Sequence, residues 1–325
     1  MMCANLLGPQ AVRQTKRLFS TINIKQVGVV GLGLMGHGVV QVTAMASSPA
    51  FSVIAVDGNQ DAIDAGKKRI DQSLSKMLDR KVRKGALQEE NVAAEKEAII
   101  SRISYASDLT SLADCDLIIE AASEKQEIKL PLFKELARIT SENCILASNT
   151  SSLSIRDMAL ASGRLSHVVG LHFFNPVQLM KLVEVVRCDE TDLAVFEACK
   201  SWALAVGKHP VSCVDTPGFI VNRLLVPALA QGMLMYERGD GSVNDIDTAM
   251  QLGAGHPMGP LALADYVGLD ICLSILDGWK LKYPDEPSFM VPACLREKVA
   301  SGKLGRKSGE GFYKWEGDKR VGVAP

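Results

Sequence analysis

The sequence predicts an α/β protein: an N-terminal, doubly wound sheet of mostly parallel strands, followed by a second, all-helical domain. Three observations predict it. A short apolar run, Gln26 to Val30, leads straight into Gly31-Leu32-Gly33-Leu34-Met35-Gly36 and then into a helical run from His37 to Ala46. Further short apolar runs, Phe51 to Val56, Asp116 to Glu120 and Cys144 to Ala147, alternate with helical stretches. That alternation is the mark of strands laid parallel with helices on their faces. Pro217-Gly218-Phe219 then opens a long helical run, and the segments after it read as helices.

Composition bounds the problem. A chain of 325 residues, 47 % hydrophobic, has room for two domains and a substantial core. A formal net charge of −1 gives no reason to expect a nucleic-acid partner. The eight cysteines, at 3, 115, 144, 188, 199, 213, 272 and 294, form no C-x-x-C pair and have no clustered histidines, so neither a disulfide framework nor a metal site is expected. Reduced thiols in a non-secretory compartment fit better. No apolar run approaches the ~18 residues of a membrane span. The longest, Leu224 to Met235, is broken by Pro227, Gln231 and Gly232, so stable membrane insertion is not expected.

The first segment reads as an address. Residues 1–25 carry Arg13, Lys16, Arg17 and Lys25 and no acidic residue. On a helix, Arg13, Lys16 and Arg17 share one face and Leu7, Ala11 and Leu18 another. An arginine-rich, acid-poor amphipathic leader resembles a mitochondrial transit peptide, here assigned to residues 1–24. Arg17-Leu18-Phe19-Ser20 resembles a matrix-protease cleavage pattern, which puts the mature start near Ser20. A disordered basic tail is the other reading.

The glycine motif stands in the context it needs, strand before and helix after. Gly31 permits the tight turn, Gly33 lets the backbone approach a pyrophosphate, and Gly36 lets helix and strand pack. The helix start offers unpaired N–H groups to phosphates. Asp57 ends the next strand at the expected spacing of about 20 residues. Its carboxylate suits both ribose hydroxyls and repels a 2′-phosphate. Gly58 and Asn59 follow with no arginine to hold one, so a Rossmann-type site for NAD rather than NADP is expected.

Residues 60–100 read as a helical excursion. Between Lys67 and Lys84 stand eight basic residues (67, 68, 69, 76, 80, 81, 83 and 84) against two acidic ones (71 and 79). A solvated helical face and a cationic arm for a larger anionic ligand both fit. After the strand Asp116 to Glu120 come Glu124 and a helix from Lys125 to Ile139. After Cys144 to Ala147 comes a hydroxyl-rich loop, Ser148-Asn149-Thr150-Ser151-Ser152, where such sheets bind ligands, outside the carboxyl ends of strands. Helix capping, with Ser154 to Asp157 opening a helix, is the other use of such a loop.

Leu171 to Val186, LHFFNPVQLMKLVEVV, then reads as strand, turn, strand. Val168 to Phe174 runs in, Asn175-Pro176 breaks the direction, and Leu182 to Val186 returns beside it. This places His172 beside Glu184. A neighbouring carboxylate favours the cationic imidazole, as a general base needs when it must hold a proton. A structural pair at a strand edge fits the spacing equally.

Asp215-Thr216 reads as the linker between a first domain at 25–214 and a second at 215–325. Phe219 to Arg238 reads as one long helix with Asn222 near its start. Val243 to Leu252, Leu261 to Lys280 and Pro292 to Lys298 also read as helical. An apolar helical domain of this size suits dimerisation.

Six blocks carry a resemblance across residues 26 to about 315. They are GVVGLGLMGHGVVQ, IIEAASE, SNTSSLSI, GLHFFNPVQLMKLVEVV, GKHPVSCVDTPGFIVNRLLVP and GAGHPMGPLALADYVGLD. Together, and in this order, they resemble the L-3-hydroxyacyl-CoA dehydrogenase family. The resemblance implies oxidation of an L-3-hydroxyacyl-CoA to the 3-ketoacyl-CoA in fatty acid β-oxidation, with NAD as cofactor. It implies His172 as catalytic base held by Glu184, and Ser151 and Asn222 on the oxygen at C3. Gly31, Gly33, Gly36 and Asp57 match the NAD positions, and Glu124 and Lys129 match positions near its nicotinamide half. Ser151 and Asn175 join that set, Asn175 as support for the His172 loop. Ser73 falls where the family contacts coenzyme A, and Arg80, beside Lys81, replaces a lysine there. On this basis the basic arm is expected to bind the coenzyme A phosphates. The resemblance further implies a homodimer in the mitochondrial matrix. Gly309 to Tyr313 matches the family's closing motif, and the ending Val-Ala-Pro is no peroxisomal address.

Three departures from the family stand out. His37 replaces a small residue, Ser47 to Ala50 is a longer loop, and His256 stands where an aromatic residue is common. Two rival readings remain. A dehydrogenase of free hydroxyacids shares the GLGLMG opening, but gives no use for the basic arm or the His172–Glu184 pair. A non-catalytic NAD-binding relative keeps the fold, but has no need of Ser151, His172, Glu184 and Asn222 together.

Overall fold

A computed structural model describes residues 22–325. The expected leader at 1–24 lies outside them except for Ile22 to Ile24, and Ile24 is already buried in the first core. The chain forms two compact units that meet in sequence at Thr216/Pro217.

The first unit starts with β1 (Gln26–Val30), α1 (Gly36–Met45), β2 (Ser52–Val56) and α2 (Gln60–Arg83). It continues with α3 (Val92–Ile100), β3 (Ile103–Ala106), β4 (Leu117–Glu120), α4 (Gln126–Ile139), β5 (Ile145–Ser148) and α5 (Ile155–Ser162). It ends with β6 (Val168–Phe173), β7 (Leu182–Arg187), α6 (Leu193–Ala205) and β8 (His209–Val214). The sheet order is β3-β2-β1-β4-β5-β6-β7-β8. β3 to β6 are parallel throughout, β7 is antiparallel to β6, and β8 is parallel to β7. Chain order reverses direction across the sheet between β1 and β4, the place where such sheets leave a ligand crevice.

The central strands are apolar on both faces. β4, β5 and β6 are buried at every residue, as strands covered by helices on both sides must be. α2 buries Ile63, Gly66, Ile70, Leu74 and Leu78, one stripe at helical spacing, and turns its basic residues outward. The expected helical excursion at 60–100 is therefore two helices, joined through a turn at Gly85 with φ 69°.

The second unit holds α7 (Val221–Glu237), α8 (Val243–Ala254), α9 (Pro260–Val267), α10 (Leu269–Lys282) and α11 (Ala293–Ala300). The helix read from Leu261 to Lys280 is two, because Gly268 sits at φ 109° and breaks it. The long helix begins at Val221, two residues later than expected, since Phe219 lies at φ 54°. The unit is helical but also carries a hairpin, β9 (Tyr313–Glu316) with β10 (Lys319–Val323), that the sequence reading missed. Buried Asp265 pins that hairpin by accepting from the Phe312 and Tyr313 amides at 2.9 and 2.8 Å and from Trp315 Nε1 at 2.9 Å. Buried Asp247 accepts from the first amides of α9, Leu261 and Ala262, and from the Tyr313 hydroxyl. No helix among the described residues is long and apolar enough to cross a membrane.

Candidate active site

All the first unit's chemistry sits at one edge of the sheet, the carboxyl ends of β1, β2, β4, β5 and β6. At β1, Gly31 turns at φ 93°, and a Cβ there would meet the Ala121 carbonyl at 2.7 Å. A Cβ on Gly36 would lie 1.7 Å from the Gly31 carbonyl oxygen, so only glycine allows α1 to start so close to the turn. Gly33 has open space where its Cβ would be, as a backbone approached by a ligand requires. The first turn of α1 has no acidic residue and no side-chain cap; the Gly38 and Val39 amides bond to the Met35 carbonyl, and the positive end of the helix faces the glycine turn where an anion would lie. Asp57 Oδ2 accepts from the Leu32 amide at 2.9 Å and Oδ1 from the Asn59 amide at 3.0 Å. The carboxylate is thus fixed at the end of β2 with a second lone pair on each oxygen left for hydroxyl donors. These residues fit a dinucleotide.

β6 and β7 bring His172 and Glu184 together as direct register partners. Nδ1 and Oε2 are 2.6 Å apart; the glutamate is fully buried and the imidazole 5 % exposed. A carboxylate only accepts, so Nδ1 carries the proton and Nε2 is the basic nitrogen. Phe174 lies against the ring, centroids 4.5 Å apart. The loop after β5 also helps: Asn149 accepts from the Phe173 amide at 2.9 Å and fixes the strand end that carries His172. Asn175 is exposed and joined to Pro176 by a cis peptide bond. The loop after it is held by buried Lys208, which donates to the carbonyls of Val177 and Met180. Burial, with Lys181 nearby, brings that lysine's pKa down to about 8.

The hydroxyl-rich loop does two jobs. Ser154 caps α5, accepting from the Asp157 amide at 3.2 Å. Thr150 and Ser151 instead hold Glu124: Thr150 Oγ1 at 2.5 Å, the Ser151 amide at 2.8 Å and Ser151 Oγ at 3.2 Å all donate to Oε1. Its other oxygen meets Lys129 at 3.3 Å. Burial opposes the Glu124 charge most strongly, but Lys129 and the Thr150 and Ser151 donors outweigh it and hold the carboxyl below its usual range.

Glu120 was missed from sequence. It ends β4, is fully buried, and lies 2.5 Å from the equally buried Lys129 ammonium. Ser148 Oγ at 2.7 Å and the Ala122 amide at 2.7 Å complete its partners. The available signal was an acid closing the apolar run DLIIE with a lysine on the next helix.

A cleft of about 500 Å³ lies between α1, α2 and the loop after Pro176. Its walls include His37, Gln41 and Met45 from α1, and Ser73, Met77 and Arg80 from α2. The basic arm divides: Arg69, Lys76 and Arg80 line the cleft, whereas Lys81 pairs with Glu95 on α3 at 3.2 Å and Lys67 with Asp64 at 3.7 Å. Asn222 lies in the second unit, in the first turn of α7. His256 is exposed at the end of α8.

Comparison with known proteins covers both units. Residues 26–216 match the family described as 3-hydroxyacyl-CoA dehydrogenase, NAD binding domain, and residues 218–315 match its C-terminal domain. The chain is 47 % identical over 298 residues to the mitochondrial hydroxyacyl-coenzyme A dehydrogenase of Rattus norvegicus, covering 91 % of this chain and 92 % of that protein. It is 46 % identical over 299 residues to the Homo sapiens protein of the same name, with the same coverage. Among solved structures, the (S)-3-hydroxybutyryl-CoA dehydrogenase of Ralstonia eutropha superposes with a TM-score of 0.83 at 37 % identity, over 90 % of this chain and 100 % of that one.

Proposed function

The chain belongs to the 3-hydroxyacyl-CoA dehydrogenase family, and from that premise we propose how its residues oxidise an L-3-hydroxyacyl-CoA to the 3-ketoacyl-CoA with NAD. The observation that carries the reading is the buried His172–Glu184 pair at the sheet edge that also holds the glycine turn and Asp57. Gly31, Gly33, Gly36 and Asp57 hold the adenosine and pyrophosphate half of NAD, and Glu124, Ser151 and Asn175 the nicotinamide end, with buried Lys129 positioning Glu124 from beneath. Bound there, NAD supplies the acceptor for the hydride from C3.

The protein's part is proton handling and orientation. Nε2 of neutral His172 takes the hydroxyl proton of the substrate. Glu184, already bonded to Nδ1–H, stabilises the imidazolium that results without moving. Ser151 and Asn222 hold the oxygen on C3, so that the O–H points at Nε2. A positioned base contributes about 10²–10⁴-fold, and alignment adds to it. Asn222 comes from the second unit. The cleft between α1 and α2 takes the coenzyme A arm, with Ser73 on the arm and Arg80 on its phosphates.

The second unit also serves dimerisation on this reading. Large apolar side chains stand exposed on its helices, among them Leu224, Tyr266 and Ile271, and a homodimer would cover such a surface. The basic, acid-free residues 1–25 and the mitochondrial relatives support import into the matrix, with residues 1–24 as transit peptide.

The test is NADH formation from NAD with L-3-hydroxybutyryl-CoA against free L-3-hydroxybutyrate. Turnover that needs the thioester supports the reading. Equal or faster turnover of the free acid overturns it.

A further inference from the structure

His37 is the polar residue of the α1 start that no step above uses. Nδ1 lies 2.8 Å from the Gly33 carbonyl oxygen. A carbonyl only accepts, so Nδ1 carries the proton, and in the neutral ring Nε2 is an acceptor. The ring is 9 % exposed and forms part of the cleft wall. His37, Gln41 and Met45 follow at four-residue spacing along α1, so they line up on one face, the face toward the cleft. Gln41 Oε1 accepts from Gln178 Nε2 at 3.0 Å, while Val42, Met45 and Met77 supply apolar surface beside it. The groove thus sets the His37 ring among thioether and aliphatic side chains. The pantetheine arm of coenzyme A has the matching chemistry, methylene segments interrupted by two amides.

Burial lowers the pKa of His37 below its usual value, the Gly33 carbonyl offsets part of this, and Arg69 on α2 adds to the lowering. The acceptor is therefore in place at neutral pH.

We propose that His37 is a substrate-binding residue of this groove, its Nε2 accepting a hydrogen bond from an amide N–H of the pantetheine arm. The proposal rests on the reading of the cleft as the coenzyme A groove. The competing role is a prop: the same Nδ1–H···O=C bond steadies the glycine turn under the cofactor.

The experiment separates these. KM is measured for L-3-hydroxybutyryl-CoA and for L-3-hydroxybutyryl-pantetheine, and Kd for NADH by fluorescence, in wild type, His37→Ala, His37→Gln and Arg80→Ala. His37→Ala is expected to raise KM for both thioesters by roughly 5- to 10-fold, the worth of one hydrogen bond, with the Kd for NADH unchanged. His37→Gln, which keeps an acceptor, recovers most of the loss. Arg80→Ala raises KM for the coenzyme A thioester and not for the pantetheine one. A His37→Ala change confined to the cofactor, or no change in thioester KM while Arg80→Ala responds as expected, overturns the His37 proposal alone. An Arg80→Ala protein that treats both thioesters as wild type does overturns the groove reading, and the His37 proposal falls with it.

Discussion

His172 on β6 and Glu184 on β7 face each other in register, Nδ1 to Oε2 2.6 Å, in a setting that leaves the carboxylate no exposure to water. The relationship is set by the backbone: antiparallel strands joined through the Asn175–Pro176 turn place these two residues opposite, and a slip of one residue in β7 would turn Glu184 to the other face, away from His172. The carboxylate therefore fixes both the tautomer of the imidazole and its ring plane.

Glu184→Gln keeps the shape and removes the charge. Steady-state kinetics should show kcat lower by about 10²–10⁴-fold, the range for losing a base or its orienting carboxylate, with the Kd for NAD unchanged. A variant within a factor of about two of wild type would remove Glu184 from the mechanism.

Lys129 and Glu120 form a fully buried ion pair beneath the Glu124 carboxylate. Breaking such a pair from one side leaves a charge with no compensation. Lys129→Met should cost about 3–5 kcal/mol in urea unfolding. Adding Glu120→Gln should recover part of that loss, because the second charge is then gone as well. Unfolding midpoints for the single and double variants decide it; a double variant less stable than the single one contradicts the account.

Asp57 is locked by the Leu32 and Asn59 amides with its remaining lone pairs outward. Asp57→Asn should raise KM for NAD roughly 10-fold and narrow the preference for NAD over NADP, since the repulsion of a 2′-phosphate is lost. Kinetics with both cofactors would expose an unchanged preference.

The parts of the site that were legible in sequence were those where local chemistry leaves one solution. Gly31-x-Gly33-x-x-Gly36 fits a single turn geometry, and Asn175-Pro176 between two apolar runs dictates a strand pair. What escaped was decided by tertiary packing. β3 is four residues, ISYA, made a strand by pairing with β2. β8 contains Pro210 and is partly exposed, a composition that does not announce a strand until β7 lies beside it. The C-terminal hairpin has its Gly317-Asp318 turn in plain sight, but its anchor, Asp265, is 48 residues from Tyr313. Glu120 closes an apolar strand, and its role shows only when Lys129 and Ser148 are seen to converge on it.

The thiols give a stability prediction. Burial pushes Cys115, Cys188, Cys199, Cys213, Cys272 and Cys294 up to about 12 and Cys144 up to about 11, from 9. Below pH 9 both folded and unfolded chains keep these protons. As pH rises from 9 toward 12 only the unfolded chain gives them up, so this contribution to stability is lost over that window. Urea midpoints should fall between about pH 8 and about pH 10.5 and fall less in a variant with Cys199 and Cys272 replaced by alanine, measured relative to its own midpoint at the lower pH. Iodoacetamide at about pH 8 should spare these seven thiols until urea is added. Rapid native labelling of fully buried Cys199 would contradict the prediction.

The most direct test of the central claim is the pre-steady-state appearance of NADH when L-3-hydroxybutyryl-CoA is mixed with the NAD-loaded enzyme, wild type against His172→Ala. The account predicts a hydride-transfer rate lower by about 10²–10⁴-fold in the variant, with NAD and thioester still bound. A wild-type rate in His172→Ala would contradict it and move the proton to another group.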